Sequence, residues 1–245
     1  PVCPGILEAA FRQVAAKHEM LRSAFIFDGG ALEIEVHDAV DIKLKITDFS
    51  ILPVEDAERL FREQAEILVK QSFDLEKPPA FRLEFFKVND SMNKLVMPVH
   101  HIIFDGWSLG IMIADLISFY NQLAEGSPPV VFTENKVDYI DYIAWEQKER
   151  GRGRFLEQLA YWRSKLVDLP PPLTLPFQLK EQAGSNSADN IVSILDEKLT
   201  SSLNQLALDN HCSLFMVLGA IFSMQLSRYS GSKDIIVGTA MANRR

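Results

Sequence analysis

The chain has 245 residues, of which 47% are apolar, 10% aromatic and 24% charged, the make-up of a packed globular protein and not of a disordered, collagen-like or disulfide-stapled one. A net charge of −8 without a basic tract argues against a phosphate backbone as partner. Cys3 and Cys212 are too few for a disulfide framework and lack metal-site spacing, and the longest apolar run, Leu214 to Phe222, falls well short of the roughly 20 residues that cross a bilayer. With no charged segment leading into an apolar stretch at Pro1-Val2-Cys3-Pro4, the expectation is a soluble, cytoplasmic protein without nucleic-acid or membrane partners.

Helix-like and strand-like segments alternate. Over Ile6–His18, behind Pro4, the residues Leu7, Ala10, Phe11, Val14 and Ala15 fall at helical spacing. Ala31–Val36 and Ile42–Ile46 alternate apolar with polar, the period of a half-buried strand. Pro53 to Gln71 opens with Glu55, Asp56 and Glu58 and repeats Ala57, Leu60, Phe61, Ala65 and Leu68, which predicts a second helix. Strand runs over Phe81–Val88 and Lys94–Ile103 flank the turn-rich Asn89-Asp90-Ser91-Met92-Asn93, a hairpin. A glycosylation acceptor is spelled by Asn89-Asp90-Ser91, but a turn is the expected role.

The run Ser108–Ala124 predicts a helix with Leu109, Met112, Ile113, Leu116, Ile117, Tyr120 and Leu123 on its core face, ended by Gly126 and Pro128-Pro129. Helices are expected over Asp141–Lys148, Phe155–Leu166, Leu199–Leu208 and Ser213–Arg228, and a buried strand over Asp234–Val237. Gln178 to Asn190 is polar and reads as a linker, so the expected organisation is 1–177, a linker at 178–190, and 191–245. The last part would have a meagre core, the expectation for a fragment.

Chemistry concentrates at His100-His101-Ile102-Ile103-Phe104-Asp105-Gly106-Trp107-Ser108. Strand alternation would set His101 with Leu95, Met97 and Val99, and His100 on the opposite face with Val96 and Pro98. A neutral imidazole suits removal of a proton from an amine or alcohol, typically contributing ~10²–10⁴-fold. Asp105 would serve as proton partner or pair with an arginine, Gly106 would relax the turn, and Ser108 would cap the next helix. A structural histidine is the plainer reading, above all for His100. Joint metal ligation by His100, His101 and Asp105 is not expected, since the rings would point apart and no further ligands cluster. Trp107, Trp145 and Trp162 read as packing anchors, and Cys3 and Cys212 as buried small residues rather than nucleophiles.

Together with its flanks, this His-His-x-x-x-Asp-Gly string resembles the core motif of nonribosomal peptide synthetase condensation domains. Three further segments carry the resemblance in the family's order: Lys17-His18-Glu19-Met20-Leu21-Arg22-Ser23-Ala24-Phe25, Tyr139-Ile140-Asp141-Tyr142-Ile143-Ala144-Trp145, and Val237-Gly238-Thr239-Ala240-Met241-Ala242-Asn243-Arg244. Lys17, Ser23 and Ala240 replace the usual Arg, Thr and Pro. The resemblance implies an α/β (α+β sandwich), chloramphenicol acetyltransferase-like fold, with an N-terminal lobe and the beginning of a C-terminal lobe, truncated at both ends and inactive alone.

It further implies an acyltransferase that joins a donor, held as a 4′-phosphopantetheine thioester on an upstream peptidyl carrier domain, to an amine on a downstream one. An adenylation domain would be adjacent, and no cofactor would be bound directly. Carried onto this chain, His101 is the active-site histidine, either a base or a group that positions the amine. His100, Asp105, Gly106 and Arg244 are structural. Asp105 would be ion-paired with Arg244, with Arg22 the competing partner, as burial of an unpaired carboxylate is costly. Trp107 and Ser108 are candidates for substrate or tunnel contact. Three alternatives stay open: an epimerisation domain, a coenzyme A-dependent acyltransferase of the same fold, and a catalytically silent docking module.

Overall fold

In the computed structural model the described residues are 2–89, 91–130, 137–176 and 191–240. The expected linker at 178–190 lies outside them, as do Asp90, Asn243 and Arg244. The chain divides into two compact units, Pro1–Arg154 and Phe155–Arg245.

The first unit begins with helix α1 (Pro4–Lys17), with Pro4 in the first turn where no intrahelical N–H is needed. Its five predicted core residues are the five it buries, Phe11 to 2% exposure. A 3-10 turn, Glu19–Arg22, leads to β1 (Ser23–Asp28), which pairs antiparallel with β2 (Ala31–Val36) as a separate ribbon. Strand β3 (Leu44–Asp48), helix α2 (Val54–Lys70) and β4 (Leu83–Lys87) make a parallel crossover, and β5 (Asn93–Val96) closes an antiparallel hairpin on β4. At its tip the Asn89 side chain accepts from the backbone N–H of Ser91 and Met92.

Strand β4 is buried on both faces, and the pleat divides its side chains between two cores. Leu83 and Phe85 join Leu7, Phe11, Val14, Phe25, Leu44 and Phe81, while Phe86 packs on the other side with Phe49, Ala57 and Val88, supported by Leu60 and Phe61 of α2. The buried Glu84 between them is tied by Thr47 Oγ1 at 2.6 Å and Lys45 Nζ at 2.9 Å, as a buried carboxylate must be. Helix α3 (Gly106–Ala124) packs on α1 and completes the first core. Helix α4 (Tyr139–Gly151) ends the unit; the Asp141 carboxylate accepts from the Asp138 backbone N–H at its start.

The second unit holds α5 (Leu156–Lys165), α6 (Glu197–Asp209) and α7 (Leu214–Ser230). Asp196 and Ser213 cap α6 and α7 by accepting from Leu199 N–H and Met216 N–H. Gly231, at φ 73°, closes α7 in a left-handed conformation costly for other residues. Among its described residues only Ala207 and Val217 are buried hydrophobics.

Several expectations are corrected. The strand β1 was not foreseen, because Ser23–Asp28 changes from buried to exposed along its length and lacks a clean alternation. The residues 234–237 pair with no described strand, and Ile236 and Val237 are exposed. The core face of α3 is rotated from the predicted stripe: Met112 and Phe119 are buried with Leu116, Tyr120 and Leu123 against them, whereas Leu109, Ile113 and Ile117 are exposed. A helix apolar on most of its circumference does not specify which stripe turns inward; its packing against α1 does. Cys3 is exposed and Cys212 only partly buried.

Candidate functional site

Strand pairing fails just before the two histidines. After Val96 only isolated links remain: Arg82 N–H to Pro98 O at 3.0 Å, a Phe81–Val99 bridge, and His100 N–H to Ala80 O at 2.9 Å. The chain then turns, with Ile103 N–H donating to His100 O at 3.2 Å and Ile103 buried in the first core. The expected strand through Ile103 is therefore corrected: the ladder of β5 ends at Val96, and His101 stands in a turn anchored by the buried Ile103.

His100 is half-buried. Its Nδ1 accepts from Ile102 N–H at 3.1 Å, which fixes a proton-free Nδ1, and its ring meets Phe73 edge to face with centroids 6.2 Å apart. Phe73 in turn lies under the Arg82 guanidinium, 4.1 Å from ring centroid to Cζ, and Arg82 donates to the carbonyls of Gln71 and Ser72. His101 is exposed, with no hydrogen bond or ion pair to a described residue. Its imidazole stands at the surface of the unit, four residues before Asp105, the N-cap of the helix that follows.

Asp105, not Ser108, is the N-cap of α3. One carboxylate oxygen accepts from Ser108 N–H at 2.8 Å and from Ser108 Oγ at 2.6 Å, so the expected cap role of Ser108 is corrected to that of a donor three residues on. A second correction concerns Gly106. It opens α3 without a left-handed φ, and a Cβ there would meet no described atom within 4 Å, so the backbone at this point does not demand glycine. Arg22 donates to His37 O and to Glu19 at 3.4 Å, which occupies it away from Asp105; Arg244 lies outside the described residues.

The tryptophans are corrected too. Trp107 is 61% exposed, Trp162 meets Tyr161 edge to face, and Trp145 lies tilted against Tyr142 with Arg154 over its ring, so none is enclosed by described residues. Among the described residues no three His, Cys, Asp or Glu side chains gather in a way that could hold a metal ion, and no single helix is long and apolar enough to cross a membrane.

One cluster escaped sequence reasoning. Asp115 of α3 accepts from Lys17 Nζ at 2.6 Å and pairs with His18 Nε2 at 2.7 Å, tying the end of α1 to the middle of α3. Burial pushes its carboxyl up, but the hydrogen bonds and charges of Lys17 and His18 outweigh this and hold it below the usual aspartate value. The signal was a lone acid in the apolar run Gly110–Tyr120, which needs a partner wherever it is buried.

The Condensation domain family model matches residues 1–245. Tyrocidine synthase 3 of Brevibacillus parabrevis is 33% identical over 239 residues, covering 97% of this chain and 4% of that protein. Malpinin synthetase of Mortierella alpina is 30% identical over 240 residues, covering 97% of this chain and 3% of that protein.

Among solved structures, the X-domain from teicoplanin biosynthesis superposes with a TM-score of 0.78 at 27% identity, covering 92% of this chain and 49% of that one. The structure describing condensation domain-mediated chain release from the enacyloxin polyketide synthase does so at 0.70 and 25%, covering 95% and 45%. The chain thus spans a small share of its curated relatives and about half of these solved chains. Its mixture of helices and sheet is the chloramphenicol acetyltransferase-like fold of those structures. With the family model matched from the first residue to the last, and the His-His-x-x-x-Asp-Gly segment set at the head of a capped helix, the chain belongs to the condensation domain family.

Proposed function

We propose that this chain supplies the N-terminal half of a peptide-bond-forming condensation domain in a nonribosomal peptide synthetase, with His101 at the reacting centre. The observation that carries the reading is the exposed imidazole of His101 in the turn that leads into α3, inside a chain matched throughout by the Condensation domain family. The donor would be an acyl or peptidyl thioester on the 4′-phosphopantetheine arm of an upstream carrier domain, and the acceptor an aminoacyl group on a downstream carrier, loaded by an adjacent adenylation domain. No group bound to the chain itself takes part.

In this reading the acceptor nitrogen attacks the thioester carbonyl, the C–N bond forms and the C–S bond breaks. The proton shed by nitrogen passes through His101 Nε2 or Nδ1 to the departing thiolate, a transfer worth ~10²–10⁴-fold when the base is positioned. His100 supports this by closing the turn through Ile102 N–H, and Asp105 by setting the start of α3. Neither needs to touch substrate.

The test is the synthetase that contains this chain, with donor and acceptor carriers both loaded. Turnover to the amide is expected, with His101→Ala lowering it at least a hundredfold. Turnover within a few-fold of the parent in His101→Ala would remove His101 from the chemistry. Exchange of the α-hydrogen on a single loaded carrier, with no amide formed, would replace condensation by epimerisation. Acylation of an alcohol from free acyl-coenzyme A would replace the carriers, and carrier binding without any turnover would leave a docking module.

A further inference from the structure

We infer that Phe73 and Arg82 are positioning residues for His101, acting through His100. The inference rests on the proposed role of His101 but concerns a part of the chain that none of the four family-like segments contains. Beyond Val96 the β-ladder is reduced to single links, and those links all run to the segment 80–82: Ala80 O accepts from His100, Phe81 bridges Val99, and Arg82 N–H donates to Pro98 O. The histidine turn therefore rests on the stretch between α2 and β4, not on its own strand.

The side chains repeat this arrangement in one stack. The Arg82 fork is pinned by the carbonyls of Gln71 and Ser72 and lies over one part of the Phe73 ring, and Phe73 meets His100 at an interplanar angle of 84°. His100 then presents a proton-free Nδ1 to Ile102 N–H, a bond that fixes both its ring and the turn in which His101 stands. Each member limits the freedom of the next. A planar, five-donor guanidinium suits the first place because it can stack and bond two carbonyls together, which an ammonium cannot do. An aromatic ring suits the second, since its edge and face engage His100 and Arg82 in different directions. Loss of either leaves the His100 ring free to rotate, the Ile102 bond intermittent, and His101 displaced by a fraction of an ångström to an ångström, a scale at which catalytic rates fall about a hundredfold.

The experiment uses the intact synthetase with both carriers loaded, in four variants: Phe73→Leu, Phe73→Tyr, Arg82→Lys and His101→Ala. Two quantities are read: kcat and KM for amide formation, and the rate at which diethyl pyrocarbonate modifies His100, followed by peptide mass mapping. His18, clasped by Asp115 in the same unit, is the internal control for unfolding. Phe73→Leu and Arg82→Lys are expected to lower kcat about ten- to a hundredfold with KM for both carriers within twofold, and to speed modification of His100 severalfold but not of His18. Phe73→Tyr, which keeps the ring, is expected to restore both quantities.

Parent-like kcat in Phe73→Leu and Arg82→Lys, while His101→Ala abolishes turnover, would overturn the inference and leave the role of His101 standing. So would loss of kcat without faster His100 modification, or His100 and His18 unmasked together in both variants, since the pair would then merely stabilise the fold. Parent-like turnover in His101→Ala would instead overturn the proposed role of His101 and with it the positioning role inferred here, and the His100 modification rates would still report on the stack.

Discussion

The clasp of Lys17 and His18 on Asp115 sets a stability prediction whose sign depends on pH. Asp115 is 17% exposed at the side chain and accepts two charge-assisted bonds of 2.6 and 2.7 Å across the α1–α3 contact. Exposed ion pairs are worth about 0.2–1 kcal/mol and hydrogen bonds to charged groups up to about 1.5–3. With Lys17 and His18 themselves about a third exposed, the two bonds together come to about 2 kcal/mol. Asp115→Asn removes the charge, keeps the volume, and turns an amide N–H₂ toward a donor, so it should lose most of that. The assay is urea unfolding of the complete domain, followed by tryptophan fluorescence, for parent and variant across pH. Because the folded carboxyl titrates below its unfolded value, the stabilisation is fully present above the ordinary aspartate range and is lost as pH falls through the depressed folded value. The gap between parent and variant should be about 2 kcal/mol at pH 7 and should narrow only as the pH falls below the ordinary aspartate value toward the parent's depressed one, where its own carboxyl takes up a proton. A gap below about 0.5 kcal/mol at pH 7, or one that stays constant as the pH falls, would refute the idea that the clasp joins the two helices electrostatically.

Three other outcomes follow from single contacts. Asp105→Ala should destabilise by about 1 kcal/mol in a denaturant titration through loss of the α3 cap, while Asp105→Asn should retain most of the capping contribution. Phe86→Ala empties a site of 0% exposure between Phe49 and Phe61 and should cost about 3–5 kcal/mol, checked by the same titration. Asp48 is held at about 2 by the Ser50 hydroxyl and backbone N–H and by Lys87; Ser50→Ala should raise that value toward the ordinary aspartate range, read by carboxyl NMR titration.

Neighbouring residues alone specify the first helix down to its five buried residues, the second helix, the hairpin and its turn, and they single out the string His100–Ser108 as the candidate site. Each of these is a local pattern: an apolar stripe at helical spacing, a turn-forming run, or a string of reactive side chains that needs no distant partner to be read. The family resemblance was legible for the same reason, since its segments are contiguous.

Tertiary structure alone decided which stripe of α3 faces inward, because that helix is apolar on most sides and only its contact with α1 breaks the tie. It decided where β5 stops, because Ile103 is drawn into the core and bends the chain at His100. It also decided the partners of Asp115 and His100. Lys17 and Asp115 are 98 positions apart, and Phe73 and His100 27. Periodicity carries no information across such separations, and closing those loops is the outcome of packing two cores around one strand.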